Sequence, residues 1–226
     1  MPGRIRDNRG PPFPTRRLLT ASPPPVAYRR AISREEIASL PIRRYEGETL
    51  VVATAADLER ALADLRQERV VGFDTETRPA FRKGEDYLPS LVQLATARAV
   101  YLLQPQRLDC SRELAEILGA PHIVKAGVAL AGDLTQLGRL FPLAPVSVVD
   151  LGRIAKRQGH AQTGLRNLAA CFLGFRIPKG ARTTNWAAPR LTPAQIAYAA
   201  MDAWAGRELY LCFERLGLLT TQVRPD

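Results

Sequence analysis

From about residue 41 the chain alternates compact apolar runs with stretches whose apolar residues recur every three or four positions. In "ETLVVATAADLERALADLRQ", residues 49–53 predict a strand, and Leu58, Leu62 and Leu65 then stripe one face of a helix. "VVGFDTET" predicts a buried strand. After the Gly- and Pro-punctuated "RPAFRKGEDYLPS", the runs "SLVQLAT" and "AVYLLQ" lie so close together that they predict a hairpin, hence an antiparallel component. "SRELAEILG" predicts a helix with Ser111 as N-cap and Gly119 as terminator. "HIVKAG" predicts a short strand or extended loop, "VALAGDLTQLGRLF" a helix with Leu130, Leu134, Leu137 and Leu140 on one side, and "VSVVDL" a further strand. Two more helices are predicted over 163–173 and 193–216; Thr192 as N-cap with Pro193 at the first helical position starts the second. Paired strands followed by interleaved helices predict an α/β domain with a mixed sheet.

Composition narrows this picture. An apolar content of 46% and a charged content of 24% in 226 residues fit one globular domain with an extension. No apolar segment approaches the ~20 residues that span a bilayer, and the N-terminus lacks the apolar core of a secretory signal. Cys110, Cys171 and Cys212 are odd in number and widely spaced, which suits a reducing, cytoplasmic setting better than a disulfide framework or a zinc site.

The net charge of +10 is unevenly placed. Residues 1–33 hold seven Arg against one acid, Asp7, together with seven Pro. Residues 1–40 are therefore expected to form a basic, extended tail, and 41–220 the folded domain. The tail reads equally as an arm attracted to phosphates or as a solvated leader.

Carboxylates mean little singly. Ten Asp and twelve Glu in random order give about half an Asp-x-Glu pair, and the chain has two. Asp57-Leu58-Glu59 falls in a helical pattern, where residues two apart do not share a face; it reads as solvated helix surface. Asp74-Thr75-Glu76 falls on a strand, where residues two apart point the same way. Its carboxylates converge and repel unless a cation or a proton intervenes, or unless Arg78 or Arg82 pairs with the strand end. Tyr198 and Asp202 are four apart on a helix otherwise rich in Ala, and Asp133 is a lone acid flanked by Leu. Four acids and a phenol from three segments are what a hard divalent metal site requires.

"FDTE", "KAGVALAGDLTQL" and "NWAAPRLTPAQIAYAAMDAW" resemble, in order and spacing, the three motifs of the DEDD superfamily of 3′-5′ exonucleases. The Tyr four residues before the last Asp is similar to the tyrosine-bearing branch, which includes ribonuclease D and the Werner syndrome exonuclease domain. The resemblance covers residues 45–217. "KAG" leading into Gly-Asp is more similar to the Werner-type domain, and the chain resembles a stand-alone form of it, without helicase or C-terminal helical domains.

The resemblance implies a ribonuclease H-like fold of the exonuclease type, with a central mixed β-sheet flanked by helices. It implies two divalent metal ions, Mg²⁺ or Mn²⁺. Asp74, Glu76 and Asp202 match ligands of the first metal, with Asp74 bridging to the second; Asp133 supports the second, and Tyr198 positions the attacking water. The implied partner is the 3′ end of DNA or RNA, DNA favoured, with nucleoside 5′-monophosphates as products. Thr75 is placed at the terminal nucleotide. Trp186 reads as a base contact or a core residue, and Arg182, Lys179 and Arg176 as phosphate contacts or a solvated loop. Ribonuclease D-like trimming of RNA is the alternative activity, and a decayed nucleic-acid binding module the alternative of another class.

Overall fold

The computed structural model describes residues 31–82, 84–181 and 183–219. Six strands form one sheet: β1 (Glu48–Val52), β2 (Val70–Thr77), β3 (Pro89–Ala95), β4 (Ala99–Leu103), β5 (Val124–Gly127) and β6 (Val148–Asp150). Their order is β1-β4-β3-β2-β5-β6. The hairpin β3–β4 and the pair β2–β3 are antiparallel, whereas β1–β4, β2–β5 and β5–β6 are parallel. The expected mixed sheet is present, and the run Val70–Phe73 is its buried central strand, as an apolar stretch without alternation requires.

Helices cover both faces. On one lie α2 (Ala55–Leu65), α3 (Ser111–Gly119) and α4 (Leu130–Leu137), whose Leu58, Leu62, Leu65, Ile117, Leu130 and Leu137 pack on Val71 and Phe73 of β2. On the other lie α5 (Leu151–Arg157), α6 (Leu165–Leu168, running on as a π-turn through Leu173) and the long α7 (Pro193–Arg215), packed on Val70, Ala126, Leu91 and Leu102. Alternation along β2 thus assigns Phe73 and Thr75 to the α4 side and Gly72, Asp74 and Glu76 to the α7 side.

Small residues let α7 lie against the sheet backbone. A Cβ at Gly72 would come 1.9 Å from the carbonyl oxygen of Ala203, and one at Gly206 would stand 3.2 Å from that of Ala126. At its start Thr192 is the N-cap and Pro193 holds the first position, as the sequence predicts, and Gln195 completes a reciprocal capping box with Thr192.

Several expectations shift. Ser111 does not cap α3; the N-cap is Cys110, without a side-chain bond. Helix α4 ends at Leu137, so Leu140 lies beyond it, half-buried. Helix α5 was not predicted, because its seven residues are too few to display a helical stripe. Residues 31–40, assigned to the tail, carry α1 (Arg34–Ser39), capped reciprocally by Ser33 and Glu36, and Ile32 is buried beside Phe213. The rest of the basic tail lies outside the described residues. Among the described residues no helix is long and apolar enough to cross a membrane.

Candidate active site

The three motif segments meet at the carboxyl end of β2. Pairing with β5 reaches only to Gly72 and Ala126, so β2 runs on past its neighbour and leaves Asp74 and Glu76 at the rim of a cleft of about 800 Å³. Phe73, Asp74, Thr75 and Glu76 line one wall of this cleft, and Tyr198 and Asp202 of α7 line another. The close approach of Gly72 to Ala203 fixes that juxtaposition, since any larger residue would lift Asp202 away from Asp74.

Asp74 is the electrostatic centre. Burial, then the facing Asp202, Asp133 and Glu76, hold its carboxyl well above the usual range, although the Thr75 N–H donates to its Oδ1 at 2.9 Å. Asp202 is pushed up to about 6, mainly by burial, against the opposing effects of the Tyr198 hydrogen bond and the Arg166 charge. The Tyr198 phenol is raised above its ordinary range by burial and by Asp202 and Glu76, so it stays protonated at neutral pH. Asp133 arrives from the α4 side: the Thr75 hydroxyl donates to its Oδ1 at 2.5 Å, and burial raises its carboxyl too.

All four acids and the phenol of the expected set are therefore brought together, Asp74, Glu76, Tyr198 and Asp202 in the cleft wall and Asp133 behind it through Thr75. The donors suit a hard divalent cation: they are oxygens, and their mutual repulsion is what such an ion relieves. Among the described residues no group of three or more Asp, Glu, His or Cys is gathered closely enough to hold a metal ion as it stands. The acids share one electrostatic field around Asp74 instead of a closed ligand cluster.

Other expectations divide. Trp186 is completely buried, so it does not contact a base; its ring packs 5.9 Å from that of Tyr198 and supports the phenol from beneath. Lys179 lines the cleft. Arg176 does not, because its backbone bridges Ile42 and its Nε donates to the Leu40 carbonyl. Arg182 lies outside the described residues. Lys125, in the middle motif, is buried with its Nζ donating to the carbonyls of Ala120 and Ile123, and burial lowers it to about 8; it braces the turn before β5.

The sequence reading missed Arg166 and Gln93. Arg166 lines the cleft, its Nη2 donating to the Pro178 carbonyl at 2.9 Å, and nothing in "TGLRNL" distinguishes it from a surface cation. Gln93 stands directly across the strand pair from Asp74, fully buried, its amide without a hydrogen-bond partner among the described residues. A polar residue inside the apolar run "SLVQLAT" was the available signal.

Against this geometry, the profile of the 3′-5′ exonuclease family matches residues 50–217. The chain belongs to that family. It is 35% identical over 173 residues to ribonuclease D of Gluconacetobacter diazotrophicus, covering 74% of this chain and 43% of that one. To the mouse bifunctional 3′-5′ exonuclease/ATP-dependent helicase WRN it is 30% identical, covering 79% of this chain and 14% of that one. The Aedes aegypti Nibbler EXO domain superposes with a TM-score of 0.69 at 22% identity, covering 76% of this chain and 91% of the domain, which establishes the ribonuclease H-like fold. The chain spans less than half the length of the two curated relatives. The family is generally dependent on divalent metal ions.

Proposed function

We propose that the protein is a metal-dependent 3′-5′ exonuclease that hydrolyses phosphodiester bonds at nucleic-acid 3′ ends and releases nucleoside 5′-monophosphates. The observation that carries this reading is the convergence of Asp202 and Asp133, from elements distant in sequence, on the half-buried Asp74 and its strand neighbour Glu76. A core does not retain that much like charge without a use for it.

Asp74, Glu76 and Asp202 are assigned as metal ligands, with Asp133 in support. Mg²⁺ or Mn²⁺ bound there supplies positive charge that offsets the carboxylates and the charge developing on the phosphoryl oxygens. The chain's own groups do the rest. The Thr75 N–H fixes one oxygen of Asp74, and its hydroxyl fixes Asp133. Tyr198, protonated and hydrogen-bonded to Asp202, orients the attacking water and does not deprotonate it. Arg166 and Lys179 give the opposite wall the sign that a phosphodiester requires. The water oxygen bonds to phosphorus and releases a proton to solvent, the P–O3′ bond breaks, and the departing 3′ oxygen takes up a proton from solvent.

Ribonuclease D-like trimming of RNA uses the same geometry, and the 35% identity to a ribonuclease D favours testing both sugars. The three cysteines are free and buried, in keeping with a reducing cytoplasmic setting. End-labelled DNA and RNA incubated with Mg²⁺ or Mn²⁺ should shorten from the 3′ end, and Asp74→Ala should abolish this; equal degradation by both proteins sinks the assignment.

A further inference from the structure

The loop joining β2 to β3, residues 78–88, starts two residues beyond Glu76. It carries the most exposed large apolar side chain among the described residues, Phe81, at 80% exposure against 49% for Ile42, the next. A single exposed Phe is ordinary in itself. Here, however, the loop is built to hold it out. The Glu85 carboxylate accepts from the backbone N–H groups of Phe81 at 2.9 Å and Arg82 at 3.2 Å. The Arg78 guanidinium lies 4.6 Å over the Tyr87 ring and closes the two ends of the loop. Asp86 pairs with Arg139 at 2.7 Å, tying the loop to the segment after α4. Three separate ties hold the described residues of the loop, yet none of them covers the ring. Arg78 and Arg82, both exposed, flank it with positive charge.

We propose that this loop is a nucleic-acid contact in which Phe81 stacks on a base of the bound strand while Arg82 meets its phosphates. An ordered aromatic face beside a guanidinium is the chemistry that single strands reward, because every base has a π-face and every linkage a charge. The proposal rests on the exonuclease reading of the cleft and adds where the strand runs after leaving it. Five residues beyond Glu76, Phe81 lies no more than about 18 Å from it along the chain. With a strand rise of about 3.4 Å per nucleotide, the stacked base falls within roughly the last five nucleotides of the 3′ end. Stacking tolerates any base, so the contact requires that a base be present and is indifferent to which.

The test uses the full chain, Mg²⁺ and short end-labelled single strands in which one abasic position is moved along the 3′-terminal nucleotides. Phe81→Ala should raise KM by about 5- to 150-fold, the equivalent of one lost base stack, with kcat held within about threefold; Phe81→Trp should restore KM. Wild type should lose affinity when the abasic position falls at one or two neighbouring sites, and Phe81→Ala should flatten that profile. An unchanged KM in Phe81→Ala, or a profile that keeps its minimum, overturns the proposal. So does a Phe81→Ala variant that alters only the mass measured by light scattering, which would make the ring a protein contact. Wild type that degrades nothing removes the exonuclease reading itself, whereas degradation indifferent to Phe81 removes only the loop contact.

Discussion

Asp57-Leu58-Glu59 and Asp74-Thr75-Glu76 contain the same two acids at the same spacing, and the fold gives them opposite environments. In α2 the Asp57 carboxylate turns back to accept from the Thr54 and Ala53 N–H groups and the Thr54 hydroxyl, at 2.8–3.2 Å, and these bonds lower its pKa. Glu59 points elsewhere, exposed. In β2 both carboxylates project toward α7, where burial and other acids raise the Asp74 pKa. One acid is ionised because the local backbone wants an acceptor. The other is held in an environment that disfavours its charge until a cation arrives. Electrostatic misfit, and not the acid pair itself, is what marks a site.

The largest expected effect is on turnover. Asp74→Ala should reduce degradation of either sugar by more than about 10³-fold, while Asp57→Ala leaves it unchanged in the same assay; comparable losses from the two would erase the distinction. Gly72→Ala should come next. Its new methyl meets the Ala203 carbonyl, so α7 must shift and carry Asp202 with it. A stability loss of about 1–3 kcal/mol, read by denaturant titration, should accompany loss of activity.

Tyr198→Phe keeps the Trp186 packing and removes only the hydroxyl. A fall in kcat of about 10²-fold is expected, with divalent-cation affinity, followed by calorimetry, unaltered.

Stability against pH separates the two acid environments further. Asp202 holds its proton in the folded state up to about pH 6, and in the unfolded state only to about pH 4. The folded state binds the extra proton between those values, so metal-free stability falls as pH rises through that window. Asp202→Asn should therefore stabilise the metal-free protein at pH 7 by about 3 kcal/mol and have no such effect below pH 4. A destabilised Asp202→Asn at pH 7 would contradict the reading of a strained carboxylate. The smallest effect belongs to the twin: Asp57→Ala should lower the melting temperature by roughly 1–4 °C, a change opposite in sign to that of Asp202→Asn.

Much of the fold was legible because it is written in short-range pattern. Apolar period gave β2, the β3–β4 hairpin and α2, and Thr192 with Pro193 gave the start of α7. Helices α1 and α5 escaped because six or seven residues hardly complete two turns. The site's acids were legible too, from Asp74 and Glu76 sharing a strand face and Tyr198 and Asp202 sharing a helix face.

The sequence by itself determined which side chains share a face, because that depends only on the repeat of a strand or a helix. Which faces meet was left to the tertiary structure. Only packing decided that Gly72 would let Ala203 touch the β2 backbone, that Thr75 would reach across to Asp133, that Trp186 would be buried beneath Tyr198, and that Arg166 would stand in the cleft wall. Those contacts join residues far apart in the chain, and no local period carries information about a partner that only folding brings near.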